Sequence, residues 1–100
     1  MLSITASELH QKINDKEDII LIDVREPFEH EAFNIGGTLI PLNTLFENLD
    51  AIDRNKPVFI YCEKGIRSQL AIQRLQDKYH FANLVNLSGG MSAWKKEFNK

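Results

Sequence analysis

Apolar residues fall in short blocks separated by polar punctuation, and the blocks differ in period. Leu9 and Ile13 stand four apart behind Thr5-Ala6-Ser7-Glu8. That is a capping-box pattern, with Thr5 as N-cap and Glu8 at N3, and it predicts a helix broken at Asn14-Asp15-Lys16. Ile19-Ile20-Leu21-Ile22-Asp23-Val24 is almost continuously apolar, as in a strand covered on both faces. Its single charge, Asp23, lies near the C-terminal end. Pro27 opens a short helix that runs to residue 33. Gly36-Gly37 marks a turn, and Thr38-Leu39-Ile40 a brief strand stopped by Pro41. Asn43 is read as the cap of a helix carrying Leu45, Phe46 and Leu49.

After the polar loop Asp53-Arg54-Asn55-Lys56-Pro57 comes Val58-Phe59-Ile60-Tyr61, a β-branched and aromatic run that reads as a buried strand. Residues 68–79 have helical pattern. Asn83-Leu84-Val85-Asn86-Leu87 forms a last strand. Ser88-Gly89-Gly90 then turns into a helix with Met91, Trp94 and Phe98. Strands alternate with helices over short connections. The predicted fold is therefore α/β: one domain over residues 1–100, with a small, mostly parallel open sheet of about five strands flanked by helices on both faces. Strand C-termini share one edge in such a sheet, which would gather Asp23, Cys62 and Ser88-Gly89 on one rim.

Composition narrows the function classes. A hydrophobic share of 43% and a charged share of 26% suit an ordinary globular chain with one modest core. The formal charge of -2, with Lys and Arg scattered, argues against nucleic acid as a partner. No apolar run approaches the roughly 20 residues of a membrane span, so no membrane partner is expected. The first residues lack the basic and apolar regions of a secretory signal. Cys62 is the single cysteine, which excludes an internal disulfide and fits a reducing cytoplasm. His10, His30 and His80 have no ligand spacing with one another or with Cys62, so no metal is expected. His10 and His80 read as surface residues and His30 as a spectator near the rim. There is no Walker loop or dinucleotide fingerprint, and no cofactor is implied. Trp94 reads as packing at the edge of the core.

The chemistry concentrates in Tyr61-Cys62-Glu63-Lys64-Gly65-Ile66-Arg67-Ser68. A thiol sits where a strand ends and a helix begins, the place where free N–H groups face an anion. Four residues separate Cys62 from Arg67, so the chain must curl. Gly65 supplies a residue that takes positive φ at little cost, and successive N–H groups in such a curl are expected to form a concave nest for an anion. With Lys64 and Arg67 beside it, this nest is expected to favour the thiolate. Arg67 has two open roles, binding an anionic substrate or bracing the loop. Lys64 is either a donor-side cation or solvated surface. Glu63 is expected to face solvent, because burying it unpaired is costly. Asp23 and Arg25 read as a structural ion pair that supports the site.

This loop resembles the Cys-x-x-Gly-x-Arg active-site loop of single-domain rhodaneses, the thiosulfate-type sulfurtransferases. Asp23-Val24-Arg25-Glu26-Pro27-Phe28-Glu29 is similar to the family's Asp-Val-Arg-Glu segment. Ser88-Gly89-Gly90-Met91-Ser92-Ala93-Trp94 is similar to its Gly-Gly-x-x-Ala-Trp segment. Three segments in the right order extend the likeness over essentially the whole chain. One stretch departs: the family's Gly-His-Ile-Pro-Gly-Ala is here Phe33-Asn34-Ile35-Gly36-Gly37-Thr38, without the histidine and proline. That bears on the rigidity of the turn rather than on the sulfur chemistry.

The resemblance implies that Cys62 is the nucleophile. It takes a sulfane sulfur from a small donor, thiosulfate or a low-molecular-weight persulfide, and passes it to cyanide, a thiol or a sulfur-accepting protein. Glu63, Lys64, Gly65, Ile66 and Arg67 would bind the donor and the persulfide. With no second cysteine, the acceptor must come from outside. Two other readings stand beside this one. The first is a persulfide carrier or protein-binding module with little small-molecule turnover. The second is a phosphatase or arsenate reductase, whose loop has one residue more between Cys and Arg and encircles a tetrahedral oxyanion.

Overall fold

Five strands form one wholly parallel sheet in the order β1-β5-β4-β2-β3 in the computed structural model, which describes residues 1–98. In chain order the elements are β1 (Ser3–Ile4), α1 (Ala6–Asn14), β2 (Ile20–Asp23), α2 (Pro27–Ala32), β3 (Thr38–Leu39), α3 (Leu42–Leu45), β4 (Val58–Tyr61), α4 (Ile66–Tyr79), β5 (Leu84–Leu87) and α5 (Gly90–Phe98). A short 3-10 turn at Leu49–Ala51 leads toward β4. The expected α/β class and five-stranded sheet are both present.

β4 lies at the centre, paired with β2 from Ile20↔Val58 to Asp23↔Tyr61 and with β5 from Val58↔Leu84 onward. All four of its residues are buried. Two apolar layers cover the sheet. One packs Ala71, Ile72 and Leu75 of α4 and Leu45 of α3 against Ile22 and Ile60. The other packs Leu9 of α1 and Met91 and Trp94 of α5 against Phe59 and Leu87. Each fully buried Leu or Ile contributes about 1.5–3 kcal/mol. Double coverage is the reason that β2 and β4 read as apolar runs rather than as alternating strands.

Several boundaries move. β1 has only two residues, too short for a periodicity, and is recruited by pairing with Asn86 and Leu87. α4 starts at Ile66 rather than residue 68. The helix expected from an Asn43 cap to Leu49 is a single turn begun at Pro41, with Asn43 inside it. Asn48 then bonds back to the Thr44 carbonyl at 2.8 Å, and the chain re-forms as the 3-10 turn. Thr5 and Glu8 make both bonds of the predicted capping box. His10 is half-buried rather than on the surface, its ring stacked on Phe98 at 4.2 Å and tilted against Trp94 at 5.6 Å. No helix among the described residues is long and apolar enough to cross a membrane.

The strand order reverses between β2 and β4. The connection from β2 leads outward to β3 on one side, and that from β4 leads to β5 on the other. The two loops diverge from adjacent strand ends and leave a crevice, the usual ligand position in open α/β sheets. Asp23 and Tyr61 are register partners at this point. Cys62 follows directly.

Candidate active site

Cys62 is 1% exposed, and its Sγ accepts hydrogen bonds from the N–H of Gly65 at 3.1 Å and of Ser68 at 3.3 Å. Gly65 makes this curl with φ +91°, a conformation that side chains other than glycine's rarely adopt. The Ser68 N–H belongs to the first turn of α4, where backbone donors lack helical partners and the dipole favours negative charge. The Ser68 hydroxyl lies 3.4 Å from Sγ and donates to Oδ1 of Asn86, a buried polar residue on β5. The thiol forms the floor of an open cleft of about 260 Å³ lined by Glu29, Glu63, Lys64, Ile66 and Arg67. A larger depression of about 420 Å³, between the start of α1 and the middle and end of α5, contains neither the thiol nor an arginine.

The far side of the loop rests on α5. The Met91 N–H donates to the Cys62 carbonyl at 2.9 Å, and the Ser92 N–H to the Glu63 carbonyl at 2.8 Å. Gly90 makes the approach feasible. A Cβ there would lie 2.2 Å from the Cys62 carbonyl oxygen, and φ is +55°. The rim expected from strand polarity is therefore a packed seat, with the Ser88-Gly89-Gly90 turn supporting the Cys62 backbone.

Beneath the loop lies a buried charge network. Asp23 is 0% and Arg25 1% exposed. The Arg25 Nε reaches the two Asp23 oxygens at 3.0 and 3.2 Å, and its NH2 reaches Oδ2 at 2.9 Å. NH1 donates to Glu63 Oε1 at 3.1 Å, and NH2 also donates to the Phe33 carbonyl. Burial works against the guanidinium's charge. The Asp23 and Glu63 carboxylates outweigh it, so the Arg25 pKa is raised. The expected Asp23–Arg25 ion pair is present.

Glu63 corrects its expectation. It turns inward rather than to solvent, accepting from Arg25, from the Ser92 hydroxyl at 3.1 Å and from Lys95 at 3.4 Å. The cost of burial is offset because Arg25 would otherwise hold an unpaired buried donor. His30 is not a spectator either: its Nδ1 lies 2.8 Å from Asp23 Oδ2. The turn without the family's proline is tied down by Asn34, whose side chain bonds the His30 carbonyl at 2.9 Å and the Gly36 N–H at 2.8 Å.

Across the mouth, Arg67 makes a two-pronged pair with Glu29 of α2, 2.8 Å at each prong. Arg67 holds the Glu29 carboxyl at a pKa of about 2, against the cost of partial burial. Glu29 in turn raises the Arg67 pKa. Of the two roles open for Arg67, the structure shows bracing. Lys64 is exposed and forms no ion pair among the described residues. Ile66 is 73% exposed beside the cleft. Among the described residues no three acidic, histidine or cysteine side chains converge as metal ligands.

Three participants were given no place at the site by the sequence reading: Glu29, the Ser68 hydroxyl and Asn86. Asn86 carried a signal, as a polar residue inside an apolar strand. Glu29 entered the sequence reading only as the last residue of the segment that begins at Asp23; in the structure it also supports the start of α2, accepting from the Glu26 N–H at 3.0 Å.

The family described as rhodanese-like domain matches residues 5–97 of the chain. An uncharacterised Bacillus subtilis (strain 168) protein, YqhL, is 43% identical over 75 residues, covering 74% of this chain; the chain spans 59% of that relative's length. The thiosulfate sulfurtransferase GlpE of Coxiella burnetii is 36% identical over 80% of this chain and 75% of its own. The crystal structure of a rhodanese-like domain protein from Staphylococcus aureus superposes with a TM-score of 0.86 at 34% identity, covering 94% of this chain and 91% of that one.

Proposed function

This chain belongs to the rhodanese-like domain family, and we propose that it is a sulfurtransferase in which Cys62 carries the moving sulfur as a persulfide. The single observation behind this reading is the convergence of the Gly65 and Ser68 N–H groups on Sγ at the floor of an open cleft. Relatives named as sulfurtransferases support this reading.

In the first half-reaction the Cys62 thiolate attacks the outer sulfur of a donor. A sulfur–sulfur bond forms at Cys62, the donor's own bond breaks, and the leaving group departs with the bonding pair. With thiosulfate that group is sulfite; with a small persulfide it is a thiolate. The negative charge then sits on the terminal persulfide sulfur, and the loop amides and the start of α4 stabilise it as an oxyanion hole would. In the second half-reaction an external thiolate or cyanide attacks that terminal sulfur and Cys62 regains its thiolate. The chain has one cysteine, so no internal thiol competes for the persulfide. Lys64 steers anionic donors, and the Asp23–Arg25–Glu63 network holds the loop in shape from below. A reducing cytoplasm suits this free thiol.

The test is an intact mass after incubation with thiosulfate or cysteine persulfide. The expected result is a gain of one sulfur atom, reversed by cyanide and absent in Cys62→Ser. Hydrolysis of phosphate esters without sulfur uptake would overturn the assignment. A second reading, a persulfide carrier, draws on the same lone cysteine. It is distinguished by a persulfide that forms but is released slowly to small thiols.

A further inference from the structure

We infer that Glu29 sets donor choice: by neutralising Arg67 across the mouth of the cleft, it turns the site from dianionic thiosulfate toward small persulfides of low net charge. This rests on the sulfurtransferase reading. The cleft has two carboxylates and two cations around the thiol, Glu29, Glu63, Lys64 and Arg67. Glu63 is directed away, into Arg25, Ser92 and Lys95. The charge balance at the mouth therefore turns on the other pair.

The Arg67 guanidinium spends both terminal nitrogens on the two Glu29 oxygens. Glu29 is only 17% exposed and Arg67 37%, so solvent screens the pair incompletely. A carboxylate fixed at this position repels a dianion by nearly as much as the guanidinium attracts it. Lys64 is left as the one cation of the cleft without an ion-pair partner among the described residues. One exposed lysine is little with which to capture a doubly charged donor. The exposed Ile66 beside it offers apolar contact to the carbon stem of an organic persulfide, which thiosulfate lacks. With such a donor the balance is simple: Cys62 takes the terminal sulfur, and the donor's remaining sulfur leaves as a thiolate.

The pair also has a geometric origin that a salt bridge of convenience would lack. α2 and α4 leave adjacent strand ends in opposite directions, so Glu29 must reach across the end of the sheet to meet Arg67.

Glu29→Gln is the informative variant. The glutamine oxygen can still accept from the Glu26 N–H, so the start of α2 is preserved and only the charge is removed. Steady-state kinetics with thiosulfate and with cysteine persulfide should show the ratio of the two kcat/KM values shifting toward thiosulfate. The expected shift is on the order of tenfold, carried by KM, the scale of one partly screened charge beside a dianion. Glu29→Asp, which keeps the charge, should restore the wild-type ratio. The gain should disappear in the Glu29→Gln/Arg67→Gln double variant. An unchanged ratio in Glu29→Gln, or a loss of thiosulfate use, would overturn the inference while leaving the sulfurtransferase reading intact. Failure of the wild-type protein to take sulfur from either donor would remove both.

Discussion

The loops that follow β4 and β2 begin at register partners, Tyr61 and Asp23, and they are built from opposite materials. The β4 loop holds a sulfur with main-chain N–H groups, and its shape comes from backbone conformation at Gly65 and from the close seat at Gly90. The β2 loop is held by side-chain charge. Asp23 and Arg25 are buried, and His30 and Glu63 close the network around them. An amide cradle tolerates changes of side chain but not an added Cβ where two backbones touch. A buried charge network tolerates small shifts of backbone but not the loss of one partner. Each loop should therefore fail to a different kind of substitution.

The sharpest test is Gly90→Ala. The new Cβ would meet the Cys62 carbonyl oxygen at 2.2 Å. A destabilisation of more than about 4 kcal/mol is expected, among the largest for a single methyl. Chemical denaturation measures it, and a cost below about 1 kcal/mol would mean that the seat is loose. Next is Arg25→Met, which leaves the Asp23 carboxylate buried without its main partner. The expected cost is about 3–5 kcal/mol. Adding Asp23→Asn should recover part of it; no recovery would show that packing, not charge, holds this loop.

The Glu29–Arg67 pair is the third and smaller test. Its carboxyl has a folded pKa of about 2, below the ordinary glutamate value of about 4.5. A depressed carboxyl stabilises the fold fully above its unfolded pKa, and the contribution fades as pH falls through the folded one. The stability difference between wild type and Glu29→Gln should thus be constant above about pH 4.5 and vanish between there and about pH 2. Because Arg67 is 37% exposed, about 1 kcal/mol is a suitable scale after allowance for solvent. Melting temperatures across that pH range would show it.

Tyr61→Phe should have the smallest effect. The hydroxyl is buried without a well-formed hydrogen bond, beside the backbone of Ile35 and Gly37, and burial pushes its pKa up to about 12. Its removal should change stability by less than about 1 kcal/mol. A larger loss would reveal a hidden polar contact beneath the β2 loop.

The two loops also differ in how far the sequence exposes them. The β4 loop is local. A strand, a cysteine, a glycine and a helix start lie within ten residues, so their order predicts the amides' convergence. Even the late start assigned to α4 left Gly65 and Arg67 in place. The β2 loop depends on distant partners. Arg25 meets Glu63, and Arg67 meets Glu29, each across 38 positions. No spacing rule reaches that far. Only the adjacency of β2 and β4 creates these pairs, and that adjacency follows from the sheet order. Glu63 was misread for the same reason: an unpaired carboxylate belongs in water, and its partner could not be seen. The fold itself was legible because double coverage writes apolar runs into β2 and β4, whereas β1 and α3 are too short to carry a period of their own.

The seat on α5 has a bearing on biosynthesis. Cys62 leaves the ribosome well before Met91 and Ser92, whose amides hold the Cys62 and Glu63 carbonyls. Until that helix docks, the thiol belongs to an unfinished loop. The carbonyl side of the loop is therefore completed only once residues 90–92 have been made and packed, so a chain stopped short of α5 would carry Cys62 without its seat.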